Sequence, residues 1–227
     1  MRDKKQYDCY ATIEGQRKKL KANNTLIEVE DFGAGSSVIK SNQRIVKDIA
    51  NSSLKPRKFA QLLFRMVQYY QPATIIELGT SFGITCSYLS AGNQNAQLYT
   101  CEGATNIATI AQQNFDALQI KNIELVNGDF AKTLPSLFNK ISPVDFAFVD
   151  GNHRKEPTLQ YFQQLLTHSK PTTILVFDDI HWSTEMEAAW ENIQQNPMVT
   201  LTIDLFFIGL VFINPDFKVK QHFVIRF

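Results

Sequence analysis

The stretch that decides the fold is ATIIELGTSFGIT, which runs from Ala73 to Thr85. It begins with a short β-branched apolar run, which predicts a buried strand. Glu77 ends this run, Gly79 and Gly83 follow, and a helix is predicted to begin directly afterwards. Glycines let the backbone turn tightly and let a ligand lie against bare main chain. Because the first amide groups of a helix face such a ligand, the pattern is typical of a nucleotide-type cofactor site at the carboxyl end of a parallel strand.

Further strand–helix units follow this stretch. Strands are predicted over residues 97–102, 123–126, 143–149 and 172–177, and helices over 104–118, 157–166 and 184–196. The two β-rich runs between 199 and 213 are too close together for a crossover helix, so they must pair antiparallel. The predicted fold is therefore α/β, a doubly wound Rossmann-like sheet of seven mostly parallel strands with a terminal antiparallel hairpin. Residues 219–227 offer a further strand.

The residues before this sheet form a second predicted unit. We divide the chain into an N-terminal helical cap, residues 1–71, and a main domain, residues 72–227. The helices of the cap precede the first strand of the sheet, so they can cover its carboxyl edge as a lid, with simple packing on the sheet as the alternative. The glycine-rich piece Gly33–Ser37 follows no strong strand and lacks the lysine of a P-loop, so it is predicted to be a hinge.

Composition limits the class of protein. The 227 residues are 44% hydrophobic, enough for one sizeable core. With Lys+Arg 23 against Asp+Glu 22, the net charge is +1, which offers no basic field for nucleic acid. The three scattered cysteines, Cys9, Cys86 and Cys101, predict free thiols in a reducing compartment. Without a signal-peptide core or a bilayer-length apolar run, we expect a soluble, cytoplasmic protein with neither nucleic acid nor membrane as partner.

The chain resembles a known family in an ordered set of features. These are the Glu77–Gly83 turn, the strand-end Glu102, and the acids after the fourth and fifth strands. Glu102 lies 102 − 77 = 25 residues after Glu77, a spacing that one βαβ unit requires. In these features the chain resembles the class I S-adenosylmethionine-dependent methyltransferases. It is most similar to the small-molecule O-methyltransferases of the catechol O-methyltransferase type, over about residues 73–182.

This resemblance implies the residues that bind S-adenosylmethionine. Glu102 would accept both ribose hydroxyl protons, Glu77 would help to hold the methionine end directly or through water, and Asp129 would accept from the adenine amino group. A solvated strand end is the alternative for either glutamate, and ordinary turn chemistry is the alternative for Asp129. The complete predicted set is Glu77, Gly79, Ser81, Gly83, Glu102, Asp129 and Asp150.

An NAD-dependent oxidoreductase is a second hypothesis, because an acid-ended second strand also suits a dinucleotide. A dinucleotide site needs G-x-G-x-x-G, whose central glycine makes room for the pyrophosphate. Here the turn reads Gly79-Thr80-Ser81-Phe82-Gly83 and carries Glu77 at its entrance. A carboxylate repels pyrophosphate and suits an ammonium and a sulfonium, so the sign of the charge favours S-adenosylmethionine.

Three aspartates are predicted to meet on the other half of the sheet. Asp150, Asp178 and Asp179 follow the neighbouring fourth and fifth strands, and their carboxylates would repel unless a cation or a proton separates them. Oxygen ligands favour Mg²⁺, or else Ca²⁺ or Mn²⁺. The resembled metal-dependent enzymes hold Asp, Asp and Asn at these places, and Asp179 departs from that pattern. The alternative is that one aspartate caps a helix and another binds a lysine or arginine.

The general base departs from the pattern as well. His153 lies three residues after Asp150, where the resembled enzymes carry a lysine, and a histidine can take a hydroxyl proton near neutral pH. We predict His153 and Asp150 as catalytic residues, with His181 as a weaker candidate for the base. Trp182 either walls an aromatic slot or packs under the lid.

The sequence therefore predicts an O-methyltransferase. It would transfer a methyl group from S-adenosylmethionine to a hydroxyl oxygen of a small molecule, with help from a divalent cation. A non-catalytic S-adenosylmethionine-binding regulatory subunit is a further hypothesis, since the catalytic lysine is missing. A homodimer is one option for the oligomeric state.

Overall fold

The computed structural model of the chain describes residues 5–30, 43–141 and 143–227; the predicted hinge at Gly33–Ser37 lies outside them. The helices are α1 (Asp8–Lys21), α2 (Val46–Ser53), α3 (Arg57–Tyr70), α4 (Ile84–Gly92), α5 (Thr105–Ala117), α6 (Phe130–Phe138), α7 (Lys155–Thr167) and α8 (Thr184–Gln195). The strands are β1 (Leu26–Glu28), β2 (Gln43–Ile45), β3 (Thr74–Leu78), β4 (Gln97–Glu102), β5 (Ile123–Asn127), β6 (Val144–Val149), β7 (Ser169–Asp178), β8 (Leu201–Asp204), β9 (Ile208–Phe212) and β10 (Gln221–Val224).

The central sheet confirms the predicted α/β class. Its strand order is β10-β8-β9-β7-β6-β3-β4-β5, and β1 and β2 form a separate antiparallel pair. Strands β3 to β7 run parallel to one another, whereas β9 is antiparallel to both β7 and β8, as expected of the terminal hairpin. The order reverses between β3 and β6, and such a switch point leaves a crevice at the carboxyl ends of the strands.

The sheet is covered on both faces, as a doubly wound fold requires. One core cluster joins the sheet to α6, α7 and α8 through side chains such as Leu134, Leu165 and Trp190. The other joins it to α3, α4 and α5, for example through Leu63 and Phe115. Parallel strands that are buried on both faces have near-continuous apolar sequences, and β3 and β6 have this character.

Two elements differ from the sequence prediction. Helix α6 was not predicted; its buried residues Phe130, Leu134, Leu137 and Phe138 follow the helical period, although Pro135 lies among them. Within the described residues the sheet has eight strands instead of seven, because β10 adds at the edge, parallel to β8. The eighth strand, β10, lies within residues 219–227, for which the sequence offered a further strand.

The N-terminal helices partly cover the sheet. The apolar side of α3, including Phe59, Leu63 and Val67, belongs to a core cluster of the sheet, while the segment between α2 and α3 reaches its carboxyl edge. Both packing and covering therefore occur; the domain boundary after residue 71 stays a prediction. The three cysteines are free thiols. Among the described helices, none combines the length and the apolarity that a bilayer crossing needs.

Candidate active site

A pocket of about 610 Å³ opens at the carboxyl ends of strands β3 to β7, at the switch point of the sheet. This is where open α/β sheets bind their ligands. Its lining divides into two parts, which we name by their chemistry. The glycine-turn half follows β3, β4 and β5 and is lined by Gly79, Ser81, Glu102, Gly103, Ala104 and Asp129. The aspartate half follows β6 and β7 and is lined by Lys55, Asp150, His153, Asp179, Trp182 and Phe207.

The two glycines of the turn make room for neighbouring parts of the chain. Gly79 has φ +102°, and a Cβ there would lie 2.1 Å from the carbonyl oxygen of Asp150. Gly83 has φ +76°, and a Cβ there would lie 2.4 Å from the ring of Phe115. Gly79 lines the pocket and Gly83 lies outside its lining. The reason both positions require glycine is therefore internal packing as well as the left-handed backbone.

Glu102 is held at the pocket wall by backbone amides. The amide of Ser81 donates to its Oε2 at 2.9 Å, and the amide of Ala104 donates to its Oε1 at 3.0 Å. Burial raises the pKa of Glu102, and these amide hydrogen bonds oppose the rise. Each carboxyl oxygen keeps a further lone pair, so the oriented carboxylate can accept from two hydroxyls of a ligand.

Glu77 lies beneath the floor of the pocket. Its side chain is fully buried, and Thr100 Oγ1 donates to its Oε2 at 2.6 Å. Among the described residues, its Oε1 has no hydrogen-bond partner. Burial raises the pKa of Glu77 to about 8, so the neutral acid predominates at pH 7. A direct contact with a ligand would need the floor to open, and its predicted role in binding the methionine end stays a prediction.

Asp129 combines the two roles that the sequence left open. It is the N-cap of α6, where its Oδ1 accepts from the amide of Ala131 at 3.0 Å. It also lines the glycine-turn half of the pocket. Turn chemistry therefore orients this carboxylate without removing it from the site.

Strained backbone marks the ends of three strands at the pocket. Ser81 after β3, Asn152 after β6 and Asp179 after β7 have φ of +47°, +52° and +51°. All three line the pocket. Non-glycine residues in this left-handed region carry a conformational cost and concentrate at functional sites. Their positions agree with a built binding site at this edge of the sheet.

A lysine fills the space between the aspartates. The ammonium of Lys55, from the segment that joins α2 to α3, donates to Oδ2 of Asp178 and lies 3.7 Å from Oδ2 of Asp150. The side chains of Lys55 and Asp178 are 9% and 0% exposed. The sequence-based alternative, that one of these aspartates binds a lysine, is therefore confirmed for Asp178.

The predicted metal ligands do not surround a common centre. Asp178 lies outside the lining of the pocket and points to Lys55, while Asp179 approaches Nε2 of His153 at 3.9 Å. Across residues 5–30, 43–141 and 143–227, no group of three or more His, Cys, Asp or Glu side chains is arranged to hold a metal ion. The donor set therefore does not fit a divalent cation, since an ammonium stands among its members.

His153 lies in the pocket as predicted. Its Nε2 is 3.6 Å from Oδ1 of Asp150, and its side chain is 26% exposed. Burial raises the pKa of Asp150, and the charges of Lys55 and His153 oppose the rise. The imidazole therefore lines the pocket with its Nε2 near the carboxylates of Asp150 and Asp179, where a general base can act.

His181 and Trp182 have different surroundings. His181 Nε2 lies 2.8 Å from Oδ2 of Asp204, outside the lining of the pocket. Burial lowers its pKa, but Asp204 and Glu187 outweigh this and raise it. This gives His181 a structural ion pair and leaves His153 as the histidine of the pocket. Trp182 lines the pocket and is 71% exposed, so it forms a wall and is not packed under a lid.

Sequence reasoning missed several lining residues. Lys55, Phe59, Tyr161 and Phe207 were not predicted as site residues, yet all four line the pocket. Each belongs to an element whose contact with the strand ends depends on tertiary packing. The sequence held one signal for Lys55, because buried aspartates need a cation nearby. This signal did not identify which lysine would supply the charge.

Known proteins match this chain in sequence and in fold. A family model described as a methyltransferase domain matches residues 76–180. A catechol O-methyltransferase of Niastella koreensis is 33% identical over 126 residues, which are 54% of this chain and 55% of that protein. The chain thus spans about half the length of this curated relative.

Solved structures share the fold. An O-methyltransferase of Bacillus cereus in complex with SAH has a TM-score of 0.66 at 19% identity, over 92% of each chain. The O-methyltransferase TomG of Streptomyces achromogenes in complex with SAM has a TM-score of 0.62 at 20% identity, over 71% of this chain and 82% of its own. Residues 76–180 therefore match a methyltransferase domain, and the chain shares the fold of these O-methyltransferases.

Proposed function

We propose that the protein transfers a methyl group from S-adenosylmethionine to a hydroxyl oxygen of a small molecule. The observation that carries this proposal is that one pocket joins an oriented carboxylate, Glu102, to a histidine beside a carboxylate, His153 and Asp150. The first arrangement suits the hydroxyls of a nucleoside, and the second suits removal of a proton from an acceptor. The similarity to a catechol O-methyltransferase and to O-methyltransferases crystallised with SAM or SAH supports the same reaction.

The glycine-turn half would hold the methyl donor. Glu102 would accept from the ribose hydroxyls and Asp129 from the adenine amino group, with Gly79 and Ser81 at the turn. Glu77 and Gly83 would support this binding from beneath the floor. The donor carries a positive sulfonium, which an acidic pocket stabilises and which supplies an electrophilic methyl group. An acidic wall of this kind disfavours the pyrophosphate of a dinucleotide, and no observation favours an oxidoreductase or a regulatory subunit.

The aspartate half would hold the acceptor. In the proposed reaction the hydroxyl proton passes to the imidazole of His153, the O–CH₃ bond forms as the S–CH₃ bond breaks, and S-adenosylhomocysteine and a methyl ether leave. Holding the oxygen in line with the methyl carbon supplies much of the rate. The rings of Phe59, Tyr161, Trp182 and Phe207 line the pocket and favour a flat, aromatic hydroxyl compound such as a catechol or another phenol.

Several sequence predictions remain predictions. Assistance by Mg²⁺ is one of them, and the position of Lys55 beside Asp178 gives it no support. A cytoplasmic location, a homodimer and the absence of nucleic-acid and membrane partners are the others.

Titration with S-adenosylhomocysteine tests the proposal. We expect binding to the wild type by calorimetry, and a loss of about 10–100-fold in affinity for Glu102→Ala, because two charge-assisted hydrogen bonds would be removed. Glu124→Ala on β5 is the matched control, since Glu124 is exposed. Mass spectrometry should detect methylated product from catechol or another phenol. Thermal stabilisation by NADH with none by S-adenosylhomocysteine would contradict the proposal.

A further inference from the structure

Lys55 is the buried cation of the aspartate half. Only 9% of its side chain is exposed, and its ammonium meets Asp178 and faces Asp150. Lys55 and Asp178 are 123 positions apart in the sequence, so the tertiary fold brings their side chains together. A lysine is rarely buried unless it is paired, and leaving a buried carboxylate without a counter-ion is strongly destabilising. The ion pair therefore balances the charge of Asp178 and places a positive charge where a divalent cation would otherwise have to stand.

The ammonium also has donor capacity to spare. Lysine carries three N–H donors and no acceptor. One donates to Asp178, one faces the more distant Asp150, and Lys55 lines the open pocket beside His153. A third donor therefore remains for an acceptor oxygen bound in the pocket that Lys55 and His153 both line. Fixed donors aimed at developing negative charge in a site sheltered from water are a strong source of catalysis.

We propose that Lys55 takes the position of a divalent cation in this site and that its ammonium holds the acceptor oxygen during methyl transfer. This role rests on the proposed function. In it Lys55 keeps all its protons: the hydroxyl proton goes to His153, and the oxygen is stabilised by the ammonium until the O–CH₃ bond forms. The reaction would then proceed without an added metal ion.

Metal binding can be measured independently of activity. We expect calorimetric titration of the wild type with MgCl₂ to give no binding heat beyond dilution, and the melting temperature to be the same in EDTA and in MgCl₂. In Lys55→Met the freed carboxylates of Asp150 and Asp178 lose their counter-ion, so Mg²⁺ should bind and raise the melting temperature. Lys121→Met is the matched control. Lys121 is exposed and directly precedes β5, so it lies at the amino end of that strand, away from the pocket at the carboxyl ends. Saturable Mg²⁺ binding to the wild type would overturn the proposal.

Activity tests the second part of the proposal. Lys55→Met should lower kcat by about 10²–10³-fold, the usual loss for a removed oxyanion donor, with unchanged affinity for S-adenosylhomocysteine. Lys55→Arg should recover part of this loss because it keeps the charge. If Lys55→Met does not fold, the double variant Lys55→Met/Asp178→Asn removes both charges together and should show the same low kcat. A kcat within about twofold of the wild type in a folded variant that lacks Lys55 would overturn the catalytic role.

The outcomes separate this proposal from the proposed function. A wild type that methylates phenols equally well in EDTA supports both. A wild type whose methylation is lost in EDTA and restored by Mg²⁺ supports the proposed function and overturns the role of Lys55. A wild type that binds no S-adenosylhomocysteine contradicts the proposed function, while the Mg²⁺ titrations still decide whether Lys55 occupies a cation position.

Discussion

The two halves of the pocket stabilise their carboxylates in different ways. In the glycine-turn half, Glu102 accepts hydrogen bonds from the backbone amides of Ser81 and Ala104, which lie next to the strands that carry the site. In the aspartate half, the side chain of Lys55, from a distant part of the chain, faces Asp150 and pairs with Asp178 outside the pocket lining. A backbone amide is present whatever the local residue is, whereas a buried ammonium must be supplied by one particular side chain.

Because of this difference, we expect that substitutions in one half of the pocket can leave the other half unaffected. Local amides position Glu102 through the fold of β3 and β4, so substitutions in the aspartate half should leave donor binding intact. The charge balance of Asp150 and Asp178 depends on Lys55, so it should respond sharply to a single substitution. Substitutions at three residues, His153, Glu77 and Asp129, test this difference in order of decreasing expected effect.

His153→Ala should affect the aspartate half alone. We expect kcat to fall by about 10²–10³-fold, because a positioned general base contributes on that scale. The affinity for S-adenosylhomocysteine, measured by calorimetry, should be unchanged. His222→Ala is the control, since His222 lies on the edge strand β10 and its Nδ1 is 2.7 Å from Oγ1 of Thr202. Full kcat in His153→Ala would remove this residue from the mechanism.

Glu77→Gln should change the pH dependence of stability. The folded pKa of about 8 lies above the ordinary value of 4.5. Between these values the unfolded chain releases the proton and the folded chain keeps it, so the wild type should lose roughly 3 kcal/mol of stability between pH 5 and pH 8 through this group. Glu77→Gln lacks this titration, so its stability should fall less over the same interval.

Urea unfolding at pH 5 and pH 8 measures this effect. The exposed Glu124→Gln serves as the control and should follow the wild type. Parallel pH profiles for the wild type and Glu77→Gln would mean that Glu77 is ionised beneath the pocket. Glu77 would then carry a negative charge, and the two halves would differ less in charge than their hydrogen bonds indicate.

Asp129→Ala should have the smallest effect. Comparison with Asp129→Ser separates the loss of helix capping from the loss of ligand binding. Both variants lose the carboxylate that faces the glycine-turn half, but serine is also a good N-cap and should preserve α6. We expect Asp129→Ala to lose about 1 kcal/mol of unfolding free energy and Asp129→Ser to lose much less. Both should bind S-adenosylhomocysteine a few-fold more weakly by calorimetry. Unchanged binding in Asp129→Ser would restrict this residue to its capping role.

Local pattern was sufficient for the sheet. The apolar runs that become β3, β4 and β6, and the acids that end them, were predicted because a strand that is buried on both faces must be apolar along its length. Helix α6 was not predicted, and β10 was offered only as a further strand, since Pro135 in α6 and the exposed residues of β10 weaken the local pattern. The Asp129 cap and the spacing of Phe130, Leu134 and Leu137 were the signals that could have predicted α6.

The sequence by itself determined the parallel strands and placed Glu77, Glu102, Asp129 and Asp150 at their carboxyl ends, because residue period and chain direction are local properties. Only the tertiary structure decided which of these carboxylates face the pocket, that Glu77 lies beneath it, and that Lys55 pairs with Asp178. The physical reason is that burial and charge pairing depend on contacts between distant parts of the chain, which no local pattern specifies.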